Sequence, residues 1–304
     1  MLYRELGNTG AVVSEVGMGC NRLGQSYESD DFWTKLVLRA ADLGVTVFDT
    51  AEAYGWGRSE EVLGKALGNR DDVMIATKMC RIRESGEQEY SPARMIETVE
   101  GSLRHLQRDV IDIYQLHSPR REALERYDWA EGMRKLREQG KIRFSAVAVS
   151  NEADALWLMA QDLVDVLQIT YSIFHTEPEN GLFAMAEAKG VGLLCRMPLA
   201  RGVLTGKFRP GEEVEPGHRA LLDGDRVQEN IRRAEMLRPI AASVDGGMTR
   251  MALKFSLAAK TISAIIPGAR TWAQVEENVA ASDGSGLSEQ ALADIAAIQA
   301  GWVL

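Results

Sequence analysis

The 304-residue chain contains no run of about 18 apolar residues, so no membrane span is expected. Its first residues, MLYRELGNTG, lack the basic-plus-apolar pattern of a secretory leader. Cysteine is scarce: Cys20, Cys80 and Cys195 stand far apart, with no CxxC and no metal-ligand spacing. That excludes a disulfide framework, gives no reason to expect a metal, and fits a reducing, cytoplasmic setting. Positive charge is in deficit, 35 Lys and Arg against 44 Asp and Glu, a net charge of -9. Such a balance weighs against a general nucleic-acid partner. No GxGxxG follows a strand, so nothing points to a Rossmann dinucleotide site. No Pro/Ser-rich linker or low-complexity tract divides the chain. With 45% hydrophobic and 26% charged residues, it has ordinary globular composition, and one domain over residues 1–304 is expected.

What is present is an alternation of short apolar runs with helical patterns. Tyr3–Leu6 and Val12–Glu15, joined by Gly-Asn-Thr-Gly, read as a β-hairpin. Eight strand candidates follow, near Val16–Gly19, Val45–Asp49, Val73–Lys78, Ile111–His117, Arg143–Ser150, Val164–Thr170, Gly192–Pro198 and Ile262–Pro267. Helical patterns lie between them at Asp30–Leu43, Ser59–Leu67, Pro92–Leu106, Trp129–Gln139, Ala153–Gln161, Gly181–Lys189 and Gln228–Val244, with Thr271–Ala281 after the last strand. Several of these helices end on glycine, at Gly44, Gly140 and Gly190, as helix C-termini commonly do. Eight βα units with near-continuous apolar strands imply an α/β fold, a parallel sheet closed into a (β/α)8 TIM barrel. The hairpin has no place in the βα count and suits a plug for the N-terminal mouth. Two segments exceed the pattern. Leu199–Val227 is a long polar connection, a length that tends to be functional. Leu287–Leu304 reads as a C-terminal helix capped by Ser288, with a tail, Gly301–Leu304, apolar enough to dock.

One stretch organises the chemistry: Phe48–Leu67, FDTAEAYGWGRSEEVLGKAL. A buried strand ends at Asp49, a glycine-containing loop carries Tyr54, and Ser59 reads as the N-cap of a helix. Lys78 ends the next strand and His117 the one after. A barrel gathers the C-terminal ends of neighbouring strands, so these four side chains can share one mouth. Each alone has a plain explanation: a surface carboxylate, a solvated lysine, a satisfied histidine. Together they suit proton transfer. A phenol is a poor acid at neutral pH, and a nearby ammonium favours its ionised form. An aspartate would hold that ammonium, and a histidine could orient the same substrate oxygen.

In order along the chain, FDTAEAYGWGRSEEVLGKAL, IATK, IDIYQLHSP, VAVSN, LQITYS, PLARGVLTGKF and IPGAR…EEN resemble the aldo-keto reductases, from the hairpin to about residue 281. The resemblance implies a (β/α)8 barrel and hydride transfer between a nicotinamide cofactor, usually NADPH/NADP+, and a carbonyl. It implies Tyr54 as general acid, Lys78 and Asp49 tuning it, and His117 orienting the carbonyl. It implies that Ser150, Asn151 and Gln168 hold the nicotinamide carboxamide. Leu199, Arg201 and Gly202, with Lys207, would cover the pyrophosphate. Gly268, Arg270, Gln274, Glu277 and Asn278 would take the adenosine end. Plainer readings stand beside these: Ser150 and Asn151 also suit a helix cap, Gln168 a buried amide, Arg270 a surface cap.

Arg196 departs from the family, whose members mostly stack an aromatic residue on the nicotinamide at this position. A guanidinium can stack on a ring, yet its charge would repel an oxidised one. The resemblance implies a small carbonyl compound as substrate, in a pocket that Asn21 and Trp56 among others would shape; which compound is not readable from the sequence. Two alternatives remain open at this level: an NAD-dependent sugar or alcohol dehydrogenase, and a low-turnover NADPH-binding regulatory subunit.

Overall fold

The structure, a computed structural model, describes residues 1–302 and, for Arg219, the backbone alone. Strands β1 (Tyr3–Glu5) and β2 (Val12–Ser14) form the antiparallel hairpin, with Arg4 opposite Val13. The remaining strands are β3 (Met18–Gly19), β4 (Val47–Asp49), β5 (Met74–Met79), β6 (Ile111–His117), β7 (Ile142–Ala148), β8 (Val166–Thr170), β9 (Gly192–Arg196) and β10 (Ile262–Ile265). Among the described residues these eight lie side by side in chain order, and every pairing is parallel. Hydrogen bonds from Gly17 N to Ile265 O (2.8 Å) and from Ile265 N to Glu15 O (2.9 Å) join the last strand to the first and close the barrel.

The two faces of each strand serve different layers, because successive side chains point to opposite sides. Val47, Met74, Ala76, Ile113, Ala146, Val166, Leu194 and Ala264 form one apolar cluster with Leu6 and Val13 of the hairpin. Leu6 and Val13 are fully buried, so the hairpin stops the N-terminal end of the barrel, as its place in the sequence suggests. Arg4 staples it there, donating to Glu15 Oε2 (2.8 Å), Ile262 O (2.9 Å) and Leu257 O (2.7 Å). The turn needs Gly7, with φ 54°: a Cβ there would lie 2.4 Å from Gly190 O. The outward faces of the strands pack under the surrounding helices in a second, larger core. With the N-terminal end filled, the C-terminal end is left for a site.

The helices obey the expected capping chemistry. Ser29, Ser91, Thr271 and Ser288 each accept a hydrogen bond from the third residue of their helix. Gly44, Gly140 and Gly190 have φ of 91°, 69° and 67°. Two expectations are corrected. Ser59 is no cap: the helix is Arg58–Leu67 behind Gly57, and the Ser59 hydroxyl is buried, accepting from Thr50 Oγ1 (2.7 Å) and donating to Cys20 O (2.8 Å). The helix expected at Gln228–Val244 is two pieces, Val227–Met236 and Arg238–Ala241, the second opening at Pro239. Helix Gly247–Ala258 escapes the sequence reading because nine of its twelve residues are buried, leaving almost no polar face to set a period. The C-terminal helix is Glu289–Ala300. Of the tail expected to dock, Trp302 packs edge-on against Phe174, with the Arg233 guanidinium over its ring; Val303 and Leu304 lie outside the described residues.

Candidate active site

A cavity of about 770 Å³ opens at the C-terminal end of the barrel strands. Its inner end is built on β4, β5, β6 and β8. Lys78, fully buried, donates to Asp49 Oδ1 and Oδ2 (both 2.7 Å) and to Thr50 O (2.6 Å). Asp49 Oδ1 also accepts from the side-chain amides of Gln115 (3.1 Å) and Gln168 (2.7 Å). A buried carboxylate is costly unless paired and hydrogen-bonded, and this one is both. The Gln168 amide spends its N–H groups on Asp49 and Gln115 Oε1, which leaves its own oxygen as the acceptor it can offer.

Tyr54 lies above this pair. The Lys78 ammonium is 5.3 Å from the Tyr54 ring centre, and the His117 ring stands almost perpendicular to it at 5.7 Å. The Tyr54 loop is held by close backbone approach: a Cβ on Gly24 would fall 2.3 Å from the Tyr54 carbonyl carbon. His117 lines the cavity, and its Nδ1 is buried without a partner. Burial, with the charges of Lys78, Arg196 and Arg81, pushes its pKa down to about 3. The imidazole is therefore neutral, with one N–H to give and one lone pair. Asp49, Tyr54, Lys78 and His117, read as a set from three strand ends, do come together here.

The outer half of the wall is cationic. Arg22, Lys207, His218 and Arg270 all line it. Lys207 is depressed by burial and by Arg270; His218 by burial, Lys207, Arg270 and Arg22. Lys207 Nζ sits 2.8 Å from His218 Nε2, while His218 Nδ1 faces the Ala220 N–H at 3.1 Å. Two donors therefore address an imidazole that, when neutral, has one lone pair. An anion between these groups would relieve both the crowding and the mismatch.

Above the wall the chain takes three successive left-handed residues, Ala200 (φ 44°), Arg201 (φ 55°) and Gly202 (φ 95°). The two non-glycine residues are strained, and such strain persists only when neighbours hold it. Arg201 pairs with Asp223, which also accepts from Asn230 Nδ2 (3.3 Å), latching the loop across to the segment before helix Val227–Met236. The Arg201 Nε remains buried and without a partner.

Leu199, Arg201, Gly202, Lys207, Gly268, Arg270, Gln274, Glu277, Asn278, Asn21 and Arg196 all line the cavity, as does Gln168. Lys78 lies beneath the lining, and three of the cofactor and substrate candidates do not line it either. Ser150 is exposed past the end of β7. Asn151 caps helix Glu152–Ala160, accepting from Asp154 N (2.8 Å) and donating to Asp154 Oδ2 (2.8 Å). Trp56, 37% exposed, lies under the Arg83 guanidinium at 5.0 Å. Gln115, His218 and Asp223 also belong to this region, and no sequence motif singles them out. Gln115 was within reach, since it lies two residues before His117 on a strand and so shares its face; the other two are ordinary polar residues of a long loop.

These features fit a nicotinamide dinucleotide: a cationic wall, a latched loop, and buried nitrogens without partners on His117 and Arg201. The chain belongs to the aldo/keto reductase family, whose model matches residues 15–300. It is an oxidoreductase. It is 35% identical to an uncharacterized oxidoreductase of Mycobacterium tuberculosis over 97% of this chain and 93% of that protein. Aldo-keto reductase YhdN of Bacillus subtilis is 32% identical over 91% of this chain and 87% of its own length. Among solved structures, the holo form of an aldo-keto reductase from Bacillus halodurans superposes with a TM-score of 0.84, at 28% identity, covering 98% of this chain and 96% of that one. Among the described residues no group of three or more His, Cys, Asp or Glu is disposed to hold a metal, and no helix is long and apolar enough to cross a membrane.

Proposed function

We propose that this protein reduces an aldehyde or ketone to an alcohol at the expense of NADPH, with Tyr54 as the proton donor. The observation that carries the reading is the buried Asp49–Lys78 pair beneath the Tyr54 ring, with a neutral His117 at its edge. Bound NADPH supplies the hydride; the protein's work is position and protons. Tyr54 gives its phenolic proton to the carbonyl oxygen as negative charge develops there. The Lys78 ammonium steadies the phenolate that is left, and Asp49 keeps Lys78 charged and in register. His117, uncharged, donates one N–H to the same oxygen and fixes its direction without competing as an acid. The wall residues Arg22, Lys207, His218 and Arg270 would hold the phosphates, where guanidinium offers a bidentate match. A preference for NADPH over NADH follows from that excess of positive charge.

The test is Tyr54→Phe in stopped-flow mixing of the NADPH-loaded protein with aldehydes, ketones and keto-sugars. General acid catalysis of this kind contributes about 10²–10⁴-fold, so most NADPH oxidation should vanish while NADPH binding persists. A Phe variant within a few-fold of wild-type turnover would end the assignment. Negligible oxidation by the wild type with every carbonyl would favour a binding role instead.

A further inference from the structure

Arg196 ends β9 in the wall of the inner cavity. Its Nε donates to Thr170 Oγ1 (3.2 Å), its Nη1 to Ser118 Oγ (3.2 Å) and its Nη2 to Val149 O (2.8 Å). All three acceptors are neutral, and among the described residues no carboxylate pairs with it. Three strand ends thus fix the guanidinium without neutralising it. Around it, Asp49 is matched by Lys78 and His117 is uncharged. The positive charge of Arg196 is left over, and burial lowers its pKa, the direction expected of a cation short of compensation.

Hydride transfer brings the nicotinamide carbon to about 3–3.5 Å from the carbonyl carbon. The carbonyl oxygen must at the same time reach Tyr54. The ring therefore lies within Coulombic range of Arg196, whose charge is felt at both Tyr54 and His117. The ring is neutral when reduced and carries a positive charge when oxidised. We propose that Arg196 is the residue that sets the redox preference of the cofactor site, admitting the reduced nicotinamide and expelling the oxidised one. This rests on the NADPH reading above. Its benefit lies in exchange: the spent cofactor leaves readily and a reduced one reloads, so the oxidised cofactor inhibits little as it accumulates. The chemical step gains nothing, because the same charge opposes the positive charge that grows on the ring as hydride departs.

The experiment is a fluorescence or calorimetric titration of NADPH and NADP+ into the wild type, Arg196→Met and Arg196→Lys. A unit charge roughly 6–8 Å away, at an effective dielectric constant of about 20, is worth about thirty- to a hundredfold in affinity. The wild type should bind NADPH more tightly than NADP+ by about that factor. Arg196→Met should close most of the gap by tightening NADP+, and Arg196→Lys, keeping the charge, should restore it. A wild type that binds both forms alike overturns the proposal without any variant. So does a gap that Arg196→Met leaves unchanged. Should the wild type bind neither nucleotide, the NADPH reading itself falls; binding of both with an unmoved ratio defeats this inference alone.

Discussion

Replacing Lys78 by methionine separates the structural work of the buried pair from its catalytic work. Methionine keeps the length of the side chain and removes the charge. Asp49, with only 6% of its side chain exposed, would lose its ammonium and retain two amide donors, from Gln115 and Gln168. Removing one partner of a buried pair costs about 3–5 kcal/mol, since the other charge is stranded. For a chain of this size that is a drop of roughly 5–15 °C in melting temperature. A stranded buried carboxylate takes up a proton more readily in the folded than in the unfolded chain. The folded state then binds more protons, so the variant should regain stability as pH falls toward about 5. Adding Asp49→Asn removes the stranded charge and should recover at least half of the loss at pH 7. Activity should not return, because neither neutral side chain can steady a Tyr54 phenolate. Calorimetry and denaturant unfolding at pH 5 and 7, beside single-turnover NADPH oxidation, read both effects. A Lys78→Met variant as stable as the wild type, or a double variant no better than the single one, would refute the electrostatic account of this pair.

Arg270→Ala should weaken NADPH by roughly ten- to a hundredfold and spare NADH, moving the ratio of their dissociation constants toward one; equal weakening of both would show that Arg270 does not read the phosphate. His117 stays neutral in the folded state down to about pH 3, while the unfolded chain takes up its proton near 6.5. Stability is therefore lost as pH falls from about 6.5 toward 3, and His117→Gln should flatten that part of the pH–stability curve. The pH dependence of kcat/KM should likewise show no histidine limb near neutrality that His117→Gln removes. Asp223→Asn loosens the Arg201 latch, and stopped-flow release of NADPH should quicken by roughly three- to tenfold; an unchanged release rate would separate the latch from cofactor exchange.

Much of the fold is legible in local chemistry. Strand ends, serine and threonine caps and glycine C-termini need only neighbours in sequence, and they appear where those neighbours are right. Failures come where a distant contact overrides a local preference. Ser59 looks like a cap, but its hydroxyl is claimed by Thr50 and Cys20 across the barrel mouth. Helix Gly247–Ala258 hides because burial on nearly all sides erases the periodicity by which a half-exposed helix is recognised.

The site divides in the same way. Asp49, Tyr54, Lys78 and His117 are legible because βα alternation gathers consecutive strand ends, and residue type then names the chemistry. The order of amino acids thus determines the barrel, which of its ends can carry a site, and the four reactive side chains. It does not determine charge balance, which is a sum over groups far apart in the chain. Only the closed barrel commits Gln168, 119 residues away, to the same carboxylate oxygen as Lys78. Only closure leaves Arg196 without a carboxylate, keeps His117 neutral by burial, and crowds Arg22, Lys207, His218 and Arg270 against one wall. Desolvation and Coulomb energy depend on distance in space and on what excludes water, and those are decided when the eighth strand pairs with the first.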